Sequence, residues 1–259
     1  MTHHRPLSTR AHPYHDVMGR FIVLVHGVVA YIVVLAVFTY FAGFVADVGV
    51  PRAIDDGPVG PWPRALAIDL ALVAGFALQH SVMARPWFKR IWTVFIHESA
   101  ERSTYVLLAS LQLALMMWAW QPLPSPIWQL GDGVLAGLVQ FVAALGWGLV
   151  LVSTFAVDHF HLFGLRQAVC HWLGGPAYEP EFRVRGPYRL VRHPIMLGFL
   201  IAFWAAPTMS VGHLGFALAM TAYVLVALEL EERDLRAQHG AHYHGYAAQI
   251  PRLNPFARR

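Results

Sequence analysis

Four apolar runs constrain this chain before any single residue does. A hydrocarbon core about 30 Å thick takes about 20 helical residues. Residues 21–46 exceed that, with His26 as their one acidic or basic side chain. Residues 65–84, 103–120 and 133–157 follow as the second, third and fourth spans. The segments between them suit loops. Residues 47–64 are rich in Pro and Gly, 85–102 are polar and lean basic, and 121–132 contain Pro but no Lys or Arg. Only 13% of the chain is charged, against roughly 25% in a soluble domain, and the mean hydropathy is +0.48. The expectation is an all-α polytopic membrane protein with four long transmembrane helices.

Basic residues orient these spans. The N-terminal tail, the 85–102 loop and residues 158–193 hold most of the Arg and Lys, whereas the 47–64 loop is net acidic and 121–132 carry only Asp132. Lys and Arg collect in cytoplasmic loops, so the N-terminus is expected inside. Arg233, Arg236, Arg252, Arg258 and Arg259 place the C-terminus there too. This distribution accounts for the +4 charge and the pI near 9.5, and no basic stripe interleaved with aromatics points to nucleic acid. The first apolar run is too long for a signal-peptide core and no small-residue cleavage site follows it, so it reads as a retained helix. The bacterial inner membrane is the expected location.

The last third differs. Residues 194–206 are apolar but short, 207–212 form a turn, and 213–230 are apolar again. Residues 194–232 therefore read as a helical hairpin that enters from the cytoplasm and returns to it. We expect one domain over 1–259, with a four-helix membrane part, 1–157, and a catalytic, cofactor-binding part, 158–259.

Polar residues near a bilayer are expensive and usually retained for a reason. Asp69 reads as solvated near the outer end of the second span. His26 reads as packed and hydrogen-bonded. Gln79 and His80, near the inner end, suit either interhelical hydrogen bonds or a cytoplasm-facing substrate pocket. As the fourth span ends, Asp158, His159, His161, Phe163 and Arg166 concentrate at the interface. His159 and His161 would not share a helical face, so a metal site with His80 as third ligand is disfavoured, and no metal is expected. Cys170 is the only cysteine, which excludes an internal disulfide and a cysteine-based zinc or iron–sulfur site. No dinucleotide fingerprint, P-loop or nucleophile elbow is present.

The densest constellation runs from Gly186 through Tyr188, Arg189, Arg192, His193, Pro194, Met196 and Leu197 to Gly198, followed by Glu231 and Glu232. Arg189, Arg192 and His193 offer donors to a carboxylate. Pro194 suits a helix start, and Gly198 permits close approach to the backbone. Glu231 or Glu232 would accept from an ammonium group or ribose hydroxyls. The set suits a zwitterionic ligand with a polar sugar.

These residues also carry a resemblance. Arg-His-Pro-x-x-x-Gly at 192–198, then Glu-Glu at 231–232, resembles the C-terminal signature of the isoprenylcysteine carboxyl methyltransferase and phospholipid methyltransferase superfamily. Met196 stands where many members have Tyr. The stretches 78–90, 101–111, 161–167, 192–210 and 229–235 together resemble the methanethiol S-methyltransferase family, which is similar to the NnrU group. The resemblance spans roughly 78–246. It implies methyl transfer from S-adenosylmethionine to a small volatile thiol, giving dimethyl sulfide and S-adenosylhomocysteine from methanethiol. Tyr188, Arg192, His193, Pro194, Leu197, Gly198, Glu231 and Glu232 would then form the cofactor shell, with Tyr243 and Tyr246 in a tail that folds back as a lid. Gln79 and Phe163 would line the acceptor site. His80, Asp158 or His159 would remove the thiol proton. Arg166, with the sulfonium charge, would otherwise favour the thiolate. The acceptor would arrive through lipid and the donor from the cytoplasm. A larger acceptor, a non-catalytic NnrU-like protein and a sterol-type reductase are the competing readings.

Overall fold

The computed structural model describes residues 13–176 and 182–257, which form an almost wholly helical bundle. Arg5, Arg10, Arg258 and Arg259, counted above with the basic end, lie outside the described residues. The order begins α1 (Pro13–Ala46), α2 (Trp62–Met83), α3 (Pro86–Trp92), α4 (Glu98–Ala119), β1 (Pro126–Gln129) and α5 (Val134–Val157). It continues with α6 (His159–Leu162), α7 (Leu165–Trp172), a 3-10 turn (Gly186–Arg189), α8 (Pro194–Trp204), β2 (Thr208–Ser210) and α9 (Val211–Gln249). Proline opens α2, α3 and α8, where its missing amide costs nothing. Glu98 and Glu101 lie in the first turn of α4, where negative charge meets the positive end of the helix.

α1, α2, α4 and α5 stand where the four apolar runs were expected. The helices long and apolar enough to cross a membrane, however, are α1 from Val17, α2, α5 and α9. α4 is as long as α2, but Glu98, Glu101 and Arg102 make its start polar. It is packed between α1, α2 and α7, and it buries Ser103, Tyr105, Ser110, Leu113 and Met116 among others. Its apolar residues therefore serve the protein core more than the lipid.

The C-terminal hairpin crosses in an unexpected way. α8 has 11 residues, which is about 16 Å at 1.5 Å per residue, half of a hydrocarbon core. A short non-helical stretch, residues 205–207, follows and leads into β2, which pairs antiparallel with β1. Because β1 lies between α4 and α5, the hairpin turn reaches the end of the bundle opposite the start of α8. Its backbone groups find partners there: Leu130 N donates to Pro207 O, Val211 N to Ser125 O and Gly212 N to Leu123 O. His213, buried, places Nε2 2.9 Å from Phe203 O. Satisfied backbone is what tolerates a non-helical segment at this depth. α9 then runs back as a helix much longer than the expected 213–230, because Glu231–Gln238 keeps good helix formers and an i,i+4 pair, Glu232–Arg236. It breaks at Gly240, whose φ is +49°.

Two contacts fix the inner part. Gly146 of α5 and Gly198 of α8 face each other so closely that a Cβ on Gly198 would lie 2.6 Å from Gly146 O. Small residues let membrane helices approach this way. Gly164, at φ +84°, joins α6 to α7, and a Cβ there would meet Ser103 N at 2.5 Å. The apolar core centres on Phe41, Phe44, Trp120, Phe203 and Phe216, with Trp147 and Phe199 against it. A second cluster joins Met83, Tyr105 and Val106 to Phe163. His26 is hydrogen-bonded as expected, to Thr104 at 2.9 Å. Asp69 is not solvated: it is 4% exposed and its Oδ1 accepts from Gln121 N at 2.9 Å. The amide just past the α4 end gains its partner that way.

Candidate active site

The chain gathers its chemistry at one end of the bundle, where α2, α5 and α9 leave the apolar layer and α4 and α8 begin. Three groups of polar side chains meet there.

Glu232 is the centre of the first. It sits on α9 with no exposed surface. Arg192 Nη1 lies 2.9 Å from Oε1 and 3.0 Å from Oε2. His193 Nε2 is 3.0 Å from Oε1, Tyr243 Oη donates to Oε1 at 3.0 Å, and Arg236 Nη2 donates to Oε2 at 2.6 Å. A carboxylate this buried is held by charge-assisted hydrogen bonds from several sides. The break at Gly240 allows Tyr243 to return to a residue on its own helix. The tail continues the clasp: Arg192 N donates to Pro251 O, His193 N to Arg252 O, and Tyr246 Oη to Tyr188 O. Arg252 pairs with Glu229 at 2.7 Å. That bond, with nearby carboxylates, raises its already high pKa. Burial, then the Glu231 charge, pushes the Tyr188 phenol well above its ordinary value.

Not every group in the clasp is satisfied. Arg192 Nε and Arg252 Nε and Nη2 are buried with no hydrogen-bond partner. Glu231 is half exposed, 3.6 Å from His193 Nδ1. A groove of about 440 Å³, lined by Leu225, Val226, Leu228, Glu229, Arg252 and Leu253, opens beside them. Pro194 starts α8 directly from this cluster, and Leu197 follows one turn later. What approaches Gly198 is the α5 backbone.

The second group surrounds His80. Its Nε2 is 2.8 Å from Tyr105 Oη, and its ring stacks on Phe76 at 5.3 Å. Its Nδ1 is buried without a partner. Gln79 Nε2 donates to Met83 Sδ at 2.8 Å, leaving Oε1 buried and unpaired. Phe163 packs on the Met83–Tyr105 cluster, so Gln79, His80 and Phe163 share one neighbourhood. Ser81 reaches Tyr223 of α9, and Arg85 pairs with Asp234 at 2.9 Å, two residues beyond Glu232. These contacts tie the second group to the first.

The third group adjoins the second through Phe163, whose ring meets His159 edge-on at 4.9 Å. Asp158 Oδ2 accepts from Arg166 at 2.7 Å and Oδ1 from His161 N. His159 is buried, with Nε2 2.9 Å from Tyr31 Oη and Nδ1 2.8 Å from Thr154 Oγ1, and it stacks on Phe155. Both its nitrogens and both Asp158 oxygens are engaged within the protein. Among the described residues no three His, Cys, Asp or Glu side chains converge to hold a metal ion.

Sequence reasoning did not find Tyr105, Tyr223, Arg102 or Arg252. A lone tyrosine in an apolar helix reads as core, and an arginine in a tail reads as a solvated charge. The i,i+4 spacing of Glu232 and Arg236 was a readable signal for that pair.

No family model and no solved structure matches the chain. Curated proteins do. A methanethiol S-methyltransferase of Mycobacterium tuberculosis is 49% identical over 244 residues, 93% of this chain and 99% of that one. The chain belongs to the methanethiol S-methyltransferase family. Methanethiol S-methyltransferase 2 of Bradyrhizobium diazoefficiens is equally similar, 49% over 243 residues and 93% of each chain. Nurim of Xenopus laevis is more distant, 30% identical over 184 residues, 67% of this chain and 64% of its own.

Proposed function

We propose that this methyltransferase moves a methyl group from S-adenosylmethionine to methanethiol, giving dimethyl sulfide and S-adenosylhomocysteine. The observation that carries the reading is 49% identity over 93% of the chain to proteins named for that acceptor. The clasp supports the donor. Its buried guanidinium atoms without hydrogen-bond partners, Arg192 Nε and Arg252 Nε and Nη2, fit a carboxylate, though Arg252 Nε already lies 3.8 Å from Glu232, and half-exposed Glu231 fits an ammonium group or ribose hydroxyls. Glu232 is already saturated, so it aligns Arg192, His193 and Tyr243 for that task. When bound, the donor supplies a sulfonium-activated methyl group that needs neither metal nor covalent intermediate.

The chain must then ionise and orient the acceptor. A thiolate is the competent nucleophile. Of the three candidate bases, His80 has a nitrogen free of protein partners, whereas His159 and Asp158 are fully engaged. We therefore assign proton removal to His80. Arg166 is offset by Asp158 at 2.7 Å and holds the α6–α7 corner. Gln79 and Phe163 bound the acceptor space beside His80. Aligning the reacting atoms adds up to about 7–11 kcal/mol in favourable systems. The clustering of Arg and Lys at this end supports a cytoplasmic site with both termini inside, in a bacterial inner membrane.

Detergent-purified protein mixed with S-adenosylmethionine and methanethiol tests this by headspace gas chromatography. Dimethyl sulfide is expected only when protein and both reagents are present. A vial that stays empty of it, while the donor still binds by calorimetry, would shift the acceptor to a larger molecule. Absence of both would remove the methyltransferase reading.

A further inference from the structure

We propose that Tyr105 is a positioning residue for His80, fixing the imidazole so that its Nδ1 receives the acceptor thiol's proton; this rests on the thiol-methylation reading above. Tyr105 is 5% exposed and its hydroxyl lies 2.8 Å from His80 Nε2. Its own ring is pinned. The Arg102 guanidinium lies 5.0 Å from the ring centre, and Arg102 Nε is held by Leu162 O at 2.7 Å. His80 is fixed on its other faces by Phe76, stacked at 5.3 Å, and by Tyr223, edge-on at 6.5 Å. Phe76 and Tyr223 thus lie against the ring and Tyr105 against Nε2, while Nδ1 is buried with no hydrogen-bond partner. Buried polar atoms almost always have a partner, so an orphan among such ordered neighbours points to a ligand.

The hydrogen bond a ring nitrogen makes decides the tautomer of the other. With Nε2–H donating to Tyr105 Oη, Nδ1 keeps its lone pair. The Tyr105 hydroxyl proton then turns to His80 O, 3.4 Å away. In the step that follows, the thiol S–H bond breaks, a bond forms between that proton and Nδ1, and the electron pair stays on sulfur. That pair forms the new carbon–sulfur bond to the methyl sulfonium donor, and the donor's carbon–sulfur pair returns to its own sulfur as a neutral thioether. The imidazolium proton is released to solvent after the products leave.

The test compares full-length wild type with Tyr105→Phe on two acceptors, methanethiol and the more acidic hydrogen sulfide, across pH. Positioned bases contribute on the order of 100-fold or more, so Tyr105→Phe is expected to lower kcat for methanethiol at neutral pH at least ~10-fold. The KM for the donor should stay unchanged. The loss should shrink as pH rises, and it should be smaller for hydrogen sulfide, a large share of which is already ionised at neutral pH. In a His80→Gln background, Tyr105→Phe should add almost nothing. Equal losses on both acceptors at every pH would mark Tyr105 as structural packing and overturn the inference. An active wild type with an undiminished Tyr105→Phe would overturn it too, leaving thiol methylation intact. A wild type inactive on both acceptors would instead sink the reading beneath it.

Discussion

Glu232 shows how one buried residue gathers side chains from separate stretches of chain. Its carboxylate is completely buried and accepts from two arginines, a histidine and a tyrosine drawn from separate stretches of chain. Removing one partner from a buried ion network leaves the others unpaired, which costs about 3–5 kcal/mol. Glu232→Ala should therefore lower the thermal midpoint in detergent sharply, whereas Glu231→Ala, at a half-exposed position, should lower donor affinity with little change in the midpoint. Gly198 makes a second residue-scale prediction. A branched side chain there would enter the space of Gly146 O and Val150, so Gly198→Val should destabilise by about 1–3 kcal/mol, read by the same thermal unfolding. Some of this was legible in the chain. Arg192, His193 and Glu232 stood out because charges of both signs beside apolar runs are expensive and so informative. Which glutamate is buried and which is open was not legible, because only the helical phase of α9 separates neighbours 231 and 232.

At the scale of elements, the apolar runs gave α2, α4 and α5 to within five residues and the end of α1, whose start at Pro13 lies eight residues before the expected one. The hairpin was legible as a pair of arms but not in its path, since nothing local shows that α8 stops halfway and that a non-helical stretch leading into β2 follows it. That outcome depends on β1, more than 70 residues earlier in the chain. The corner between α5 and α7 carries a pH dependence. Burial holds His159 and His161 below their ordinary value of 6.5, Asp158 opposing the shift at both and Arg102 reinforcing it at His161. A group whose folded pKa is lowered in this way contributes stability that is fully present above pH 6.5 and is lost as pH falls through the folded value. The thermal midpoint should thus hold above 6.5 and decline below it. His161→Gln should flatten part of that decline. A midpoint that rises on acidification would contradict the assignment.

The whole molecule divides into two unlike ends. One joins residues 47–61, β1 and β2 through short contacts such as Ser210 to Asp55 at 2.5 Å and Arg52 to Trp120 O at 2.6 Å. The other holds the clasp, the His80 group and most of the described Arg and Lys residues. That asymmetry predicts orientation. In a Cys170→Ser background, Asp132→Cys should react with an impermeant thiol reagent on intact spheroplasts, and Glu98→Cys only after lysis. The reverse pattern would invert the topology. The account stands or falls, however, on the transfer itself. The decisive measurement supplies the purified protein with methanethiol and S-adenosylmethionine whose transferable methyl is deuterium-labelled, then weighs the dimethyl sulfide formed. The account predicts product carrying one labelled and one unlabelled methyl group, formed in step with S-adenosylhomocysteine. Unlabelled dimethyl sulfide, or donor consumed without it, would contradict the claim that this buried site joins that donor to that thiol.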